Sequence, residues 1–187
     1  MKGRTHINIG NAITIGAFTW VAMNHIAVPF EMNLTSFVSL LVGSTIGSLL
    51  PDNDTKNTTI SKFLPISNRI ITWLASKNVK AFYHRHLLHS LFCLPVLALL
   101  LAYYGQSFQY SELIVPAAFG LFIGTAAHVL ADSFLSNTWI FYPIIRKPVS
   151  LCRLSLEKNE KIYKGLEKTC NFIAICATVF LIGSLVA

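Results

Sequence analysis

Apolar residues run along this chain in long uninterrupted blocks, with the polar and charged positions gathered between them. A bilayer core takes about 20 apolar residues, with a range of about 17–25. Blocks of that kind cover about 7–30, 34–50 (short but uncharged), 87–104, 113–135 and 170–187. Short connections at 31–33 and 105–112 make helical hairpins of the first two blocks and of the third and fourth. The expected fold class is all-α: a polytopic membrane helical bundle of about five spans, forming a single integral-membrane domain over residues 1–187.

Two longer stretches separate these units. Residues 52–83 mix Phe63, Leu64, Ile66, Ile70, Ile71, Trp73 and Leu74 with Lys62, Arg69, Lys77 and Lys80. That mixture suits interfacial amphipathic helix lying in the headgroup layer, broken near Pro65. Residues 136–169 open on Trp139, Phe141 and Tyr142, an interfacial aromatic cluster, and continue into a basic stretch from Arg146 to Lys168.

Composition agrees with a membrane protein. Only 12% of residues are charged and 53% are hydrophobic, whereas soluble domains carry about 25% charged residues. A net charge of +7 would suggest nucleic acid in a soluble chain. Here the basic residues lie between apolar runs, so the expected partners are membrane lipids with anionic headgroups and no nucleic acid. The cysteines Cys93, Cys152, Cys170 and Cys176 lack metal-type CxxC spacing and read as reduced and structural. No small-residue cleavage site follows the first apolar run, which is expected to be a retained helix.

With five spans, the N-terminus, residues 52–83 and residues 136–169 share one side. Together with Arg85, at the start of the third span, they hold all 15 Lys and Arg, while the opposite side carries Glu31 and Glu112. The positive-inside rule then predicts a multi-pass inner (plasma) membrane protein with its N-terminus cytoplasmic and its C-terminus outside.

On that topology the remaining ionisable residues converge. His6 precedes the first span, Asp52 and Asp54 follow the second, His84 and His89 start the third, and His128 and Asp132 end the fourth. All seven fall at the cytoplasmic face; His25 falls at the other. His128 and Asp132 are four apart, hence on one helix face and able to share an ion. In an otherwise apolar segment such groups are costly and usually functional, although a His–Asp hydrogen bond that joins helices would use the same pair. His84 and His89 lie about 140° apart on an ideal helix, so they meet at one ion only if His84 precedes the helix proper. His86 competes as a ligand or faces solvent.

Taken singly, Pro51-Asp52 and Asn53-Asp54 are ordinary helix-end punctuation, and His6 reads as a surface residue. As a set, four histidines and three carboxylates suit zinc, manganese or iron. Seven ligands exceed one tetrahedral zinc and suit two bridged ions about 3.5–4 Å apart. The chemistry such ions supply is activation of water as a nucleophile. Asp54 is the candidate base that orients it, Asp132 an essential carboxylate, and Arg85 a candidate guanidinium for a phosphate oxygen.

These motifs resemble the LexA-binding, inner-membrane-associated hydrolase family, also called membrane-bound metal-dependent hydrolases. The matching pieces are Thr5-His6, Leu49-Leu50-Pro51-Asp52-x-Asp54, His84-Arg85-x-x-x-His89-Ser90-Leu91 and Gly124-x-x-x-His128-x-x-x-Asp132, followed by the aromatic stretch around Trp139 and Pro143. Their order and spacing cover most of the chain to about residue 145. The match departs at His86 and Leu88, where the family carries Gly and Thr, and at Thr55, where a His usually follows the second aspartate. The resemblance implies a multi-span metal-dependent hydrolase, with a more distant likeness to the zinc-dependent phospholipase C type of site.

The expected function is hydrolysis of a phosphoester or lipid ester, with an anionic phospholipid as one candidate substrate. Its metal ligands would come from His6, Asp52, Asp54, His84, His89, His128 and Asp132. The contrasting expectation is a non-enzymatic metal-binding regulator, docking through the basic 146–168 stretch, or a transporter.

Overall fold

The computed structural model describes residues 3–135 and 137–150, together with the single positions Gly165, Lys168, Thr169 and Phe172. Six α-helices carry the described chain: α1 (Gly3–Met23), α2 (Leu34–Gly47), α3 (Thr59–Phe63), α4 (Pro65–Ser76), α5 (Leu94–Gly105) and α6 (Ser111–Leu135). Short 3-10 turns stand at Leu50–Asp54, Lys80–Phe82 and Leu87–His89. Among the described residues there is no strand, only one isolated antiparallel bridge between Thr138 and Val149.

The centre of the bundle is the α2–α6 pair, against which α1 and α5 pack. Small residues bring its two backbones together. A Cβ placed on Gly43 would collide with the Ala117 carbonyl oxygen, one on Gly120 with that of Leu40, and one on Gly124 with that of Ser44. This is the small-xxx-small geometry by which membrane helices gain van der Waals contact where lipid offers no hydrophobic driving force. Polar rungs join α1 to α2: Asn11 Nδ2 donates to Thr45 Oγ1 at 3.1 Å, and Thr14 Oγ1 to Ser44 Oγ at 2.9 Å. Beyond them Ile15, Phe18, Phe37 and Leu40 form an apolar cluster covered by Phe30 and Met32.

Helix ends follow local chemistry. Asn33 caps α2 by accepting from the Ser36 N–H at 2.9 Å, and Thr58 caps α3 by accepting from the Ser61 N–H at 3.2 Å. Pro65 opens α4 and so separates it from α3, the break expected near that residue. α3 buries Ile60 but leaves Phe63 exposed, and α4 leaves Ile66, Ile70 and Trp73 exposed.

The described spans differ from expectation in two places, the first and the third. Two helical stretches, Leu34–Asp54 and Ser111–Phe134, are long and apolar enough to cross a membrane. The first expected span, 7–30, is instead a helix from Gly3 to Met23. At about 32 Å it has the length to cross, but Asn8, Asn11 and Thr14 lower its apolarity. It stops because His25 takes φ 49°, and the chain then turns back to lay Phe30 and Met32 on the core. The third expected span, 87–104, begins as a helix only at Leu94. The twelve residues of α5 measure about 18 Å against a hydrocarbon core of about 30 Å. The Ser90 hydroxyl binds the carbonyls of Ile140 and Tyr142, which holds residues before Pro95 out of the helix. The fifth expected span, 170–187, lies outside the described residues apart from Phe172, and so does most of the basic 146–168 stretch.

Candidate metal centre

Four separate pieces of backbone deliver the seven expected residues to one end of the bundle. The first turn of α1 carries His6, the 3-10 turn after α2 carries Asp52 and Asp54, the loop before α5 carries His84 and His89, and the last turns of α6 carry His128 and Asp132. His6, His89, His128 and Asp132 are at most 3% exposed. The parallel run of α2 and α6, in which Leu40, Ser44 and Ser48 lie against Gly120, Gly124 and His128, accounts for part of this, since it sets the end of one beside the end of the other. His84 reaches the site because it precedes the helix, as its spacing from His89 requires. Both rings meet Asp54, His84 Nδ1 at 2.8 Å from Oδ1 and His89 Nδ1 at 3.3 Å from Oδ2.

The separations decide what kind of contact this is. His6 Nε2 lies 3.3 Å from Asp132 Oδ1, and His89 Nε2 lies 3.6 Å from Asp132 Oδ2 and 4.0 Å from Asp52 Oδ1. His128 Nε2 is 3.6 Å from Asp52 Oδ1 and 3.7 Å from Asp132 Oδ2. Nearly all exceed the 2.7–3.2 Å of a nitrogen–oxygen hydrogen bond. They start at the edge of a tetrahedral zinc site, about 3.3–3.4 Å for ligands about 2.05 Å from the ion, and extend beyond it to 4.0 Å. Three triads, His6–Asp52–His128, Asp54–His84–His89 and His89–His128–Asp132, each place one ligand atom per residue within 4.8 Å of the others. His89 stands between them, its Nδ1 toward Asp54 and its Nε2 toward Asp52 and Asp132.

The tautomer of His128 supports the same reading. Its Nδ1 sits 2.7 Å from the Ser48 carbonyl oxygen, which can only accept, so Nδ1 carries the proton. On the neutral ring Nε2 then presents a lone pair, and this buried atom has no hydrogen-bond partner. A lone pair directed at two carboxylates is electrostatically poor without a cation among them. A histidine whose far nitrogen is held by a backbone carbonyl is the usual orientation of a metal ligand. The His6 and His128 rings also stack, with centroids 3.7 Å apart. The residues therefore fit a divalent cation.

Asp54 occupies a different position from that expected of a free base. Oδ1 accepts from Thr55 Oγ1 at 3.0 Å and faces His84 Nδ1, while Oδ2 accepts from the Arg85 N–H at 3.2 Å. A carboxylate so fully engaged orients its neighbours. Asp52 is the carboxylate with an open side, its side chain 17% exposed. The hydrogen bond from Asp54 holds the half-exposed His84 imidazole above the usual histidine range, against the opposing pull of desolvation.

Arg85 contributes through its backbone. It takes φ 66°, donates its N–H to Asp54, and accepts from the Trp139 N–H at 3.1 Å. That left-handed turn sends His84 and His86 in different directions. His86 stacks on Trp139 with centroids 4.3 Å apart, so it is neither a ligand nor a solvent-facing ring. His25 is exposed and lies outside the cluster.

Three contributors were not expected from sequence. Thr55 bonds Asp54 and lies 3.0 Å from His84 Nδ1; the Ser48 carbonyl holds His128; and Asn68 of α4 donates to the carbonyls of Asn53 and Thr55 at 2.5 and 3.2 Å. The position of Thr55, directly after Asp54, was the available signal.

Fold and site together define a helical membrane protein with a buried His/Asp cluster at one end of its bundle. The chain belongs to the YdjM inner membrane protein family, whose profile matches residues 1–187. That membership establishes an inner-membrane protein and says nothing of LexA binding or hydrolysis. No curated protein and no solved structure matches the chain.

Proposed function

We propose that this chain is a membrane-embedded metal-dependent hydrolase acting on a phosphoester or lipid ester at the cytoplasmic membrane face. The observation that carries the reading is the spacing of the cluster. Seven nitrogen and oxygen ligands converge from four segments, and five of them, His6, Asp52, His89, His128 and Asp132, stand at separations longer than hydrogen bonds and suited to a shared cation.

His6, Asp52, His128 and Asp132, with His89, would hold one divalent ion, and Asp54, His84 and His89 would border a second. Zinc fits the histidine-rich set first, with manganese or iron as alternatives. A bound ion of this type activates water as a nucleophile at neutral pH. Within the chain, Asp54 fixes His84 by hydrogen bonding and faces His89 Nδ1 at 3.3 Å, and His128 is fixed by Ser48. Asp52, the carboxylate with an open side, is the residue placed to take a proton from an entering water. The same open side, between Asp52 and His84, is where substrate would enter.

The test is elemental analysis of the detergent-purified protein together with hydrolysis of a phosphoester and phospholipid panel. About two equivalents of metal per chain are expected, with turnover lost in Asp132→Ala and in Asp52→Asn. Metal retained without turnover on any substrate would remove the enzyme and leave a metal-binding regulator. The burial of His6, His89 and His128 favours that second reading, because a closed site can serve as a clamp between α1, α6 and the loop. Replacing the lysines of 158–168 would then disable the protein while leaving metal content intact. A transporter is disfavoured: the apolar cluster Ile15, Phe18, Phe37 and Leu40 closes the interior beyond the Thr14–Ser44 rung.

A further inference from the structure

A second polar site lies outside the His/Asp cluster. The segment before α3, α3 itself and α4 enclose a cleft of about 500 Å³, and its charged side chains are Lys56, Lys62 and Arg69. No carboxylate lines it, and among the described residues none of the three cations makes an ion pair. Ser61, Thr72 and Trp73 are among the residues that complete the wall. The Ser61 and Thr72 hydroxyls already donate to the Thr58 and Asn68 carbonyls, so it is the three unpaired cations that form a receptor for a phosphate-type anion.

The surroundings narrow the ligand further. Ile66, Ile70 and Trp73 recur at helical spacing on α4 and are 73%, 54% and 57% exposed, while Asn68 is the one buried residue of that helix. In a membrane protein an exposed apolar stripe of this kind sits against acyl chains. Arg69 and Trp73 stand where stripe and cleft meet, so a headgroup in the cleft would have its chains on the stripe. Asn68 lines the cleft and also holds the Asn53 and Thr55 carbonyls, so an occupant would press on the turn that carries Asp52 and Asp54.

We infer that the α3–α4 cleft is a binding site for a phosphate-bearing anion, as an anionic lipid headgroup or as a free phosphate, separate from the candidate metal centre. It shares none of the seven ligand residues of that centre and does not depend on a metal being bound there. Its reporter is Trp73. The full chain is placed in phosphatidylcholine nanodiscs and titrated with inorganic phosphate, and also placed in discs containing phosphatidylglycerol. The Trp73 signal is the fluorescence of the parent minus that of Trp73→Phe.

A saturable change is expected that weakens about ten-fold or more in Lys62→Gln/Arg69→Gln, with thermal midpoint and metal content unchanged. Response to phosphatidylglycerol alone upholds the site and assigns it to lipid. Response to inorganic phosphate alone upholds it and assigns it to a soluble anion. No saturable change in either arm overturns the inference, as does a response that survives both the double substitution and Lys56→Gln.

Discussion

The proton on His128 Nδ1 is committed to the Ser48 carbonyl, and its Nε2 faces Asp52 and Asp132. Neutralising either carboxylate with an isosteric amide therefore removes a ligand without emptying space. Asp132→Asn should lower retained metal by about 100-fold or more in affinity, beyond the 10–100-fold typical of losing a residue that only supports a ligand. Thr55→Val tests such a support. It deletes the hydroxyl that bonds Asp54 and borders His84 while keeping the side-chain volume, and should cost about 10–100-fold in metal affinity with the fold intact. Competition with a chromogenic chelator measures both; equal affinity of Thr55→Val and parent would sink the role given to that hydroxyl. At this scale the seven ionisable residues were legible, because their types and positions on apolar runs do not depend on packing. The supports were not. A backbone carbonyl such as that of Ser48 has no sequence signature, and Thr55 reads as a departure from the family pattern until its distance to Asp54 is known.

At the scale of elements, the approach of α2 to α6 sets the distance between Ser48 and His128. Gly124 stands one helical turn before His128 and lies against Ser44 and Ser48, where a Cβ would also meet the Ser48 nitrogen at 2.9 Å. Backbone atoms cannot step aside as a flexible side chain can. Gly124→Ala should therefore push the helices apart, weaken the Ser48–His128 bond, and lower metal affinity together with stability. Gly120→Val, aimed at the Leu40 carbonyl, should destabilise by about 3 kcal/mol or more. Gly16→Ala is the control: nothing lies within 4 Å of its Cβ, and it should stabilise by about 0.5–1 kcal/mol. Thermal unfolding in detergent ranks the three; a Gly120→Val protein as stable as the parent would show that the contact is dispensable. The apolar runs made α2 and α6 readable as spans. They overstated α1 and α5, because hydropathy does not register a left-handed residue such as His25 or a hydroxyl such as Ser90 that holds a segment in a loop. The pairing of α2 with α6 was also hidden, since their glycines acquire meaning only when the helices are known to face each other.

For the whole molecule, the cluster is where α1, the end of α2, α6 and the loop before α5 meet, so its occupancy should govern stability as well as chemistry. A ligand that binds only the folded state stabilises it in proportion to the logarithm of its concentration over Kd, about 4 kcal/mol at a thousand-fold excess. Chelation should therefore lower the thermal midpoint of the purified protein by several degrees, and zinc restored afterwards should recover it. The pH dependence has a definite sign. Metal ligands must be deprotonated, and free histidine titrates near 6.5, so protons compete with the ion as the pH falls. The gap between metal-loaded and chelated midpoints should be wide at pH 8 and close progressively below about 6.5. Without a metal the sign reverses at His84: the hydrogen bond to Asp54 holds its imidazole above the usual range, a contribution present at low pH and lost as the pH rises, so mild acidification first stabilises the fold. A chelator-insensitive protein whose midpoint rises on mild acidification would mark the cluster as a network of histidine–aspartate ion pairs. The opposite slope, abolished by chelation and by Asp132→Asn, would make it a metal centre that also closes the bundle.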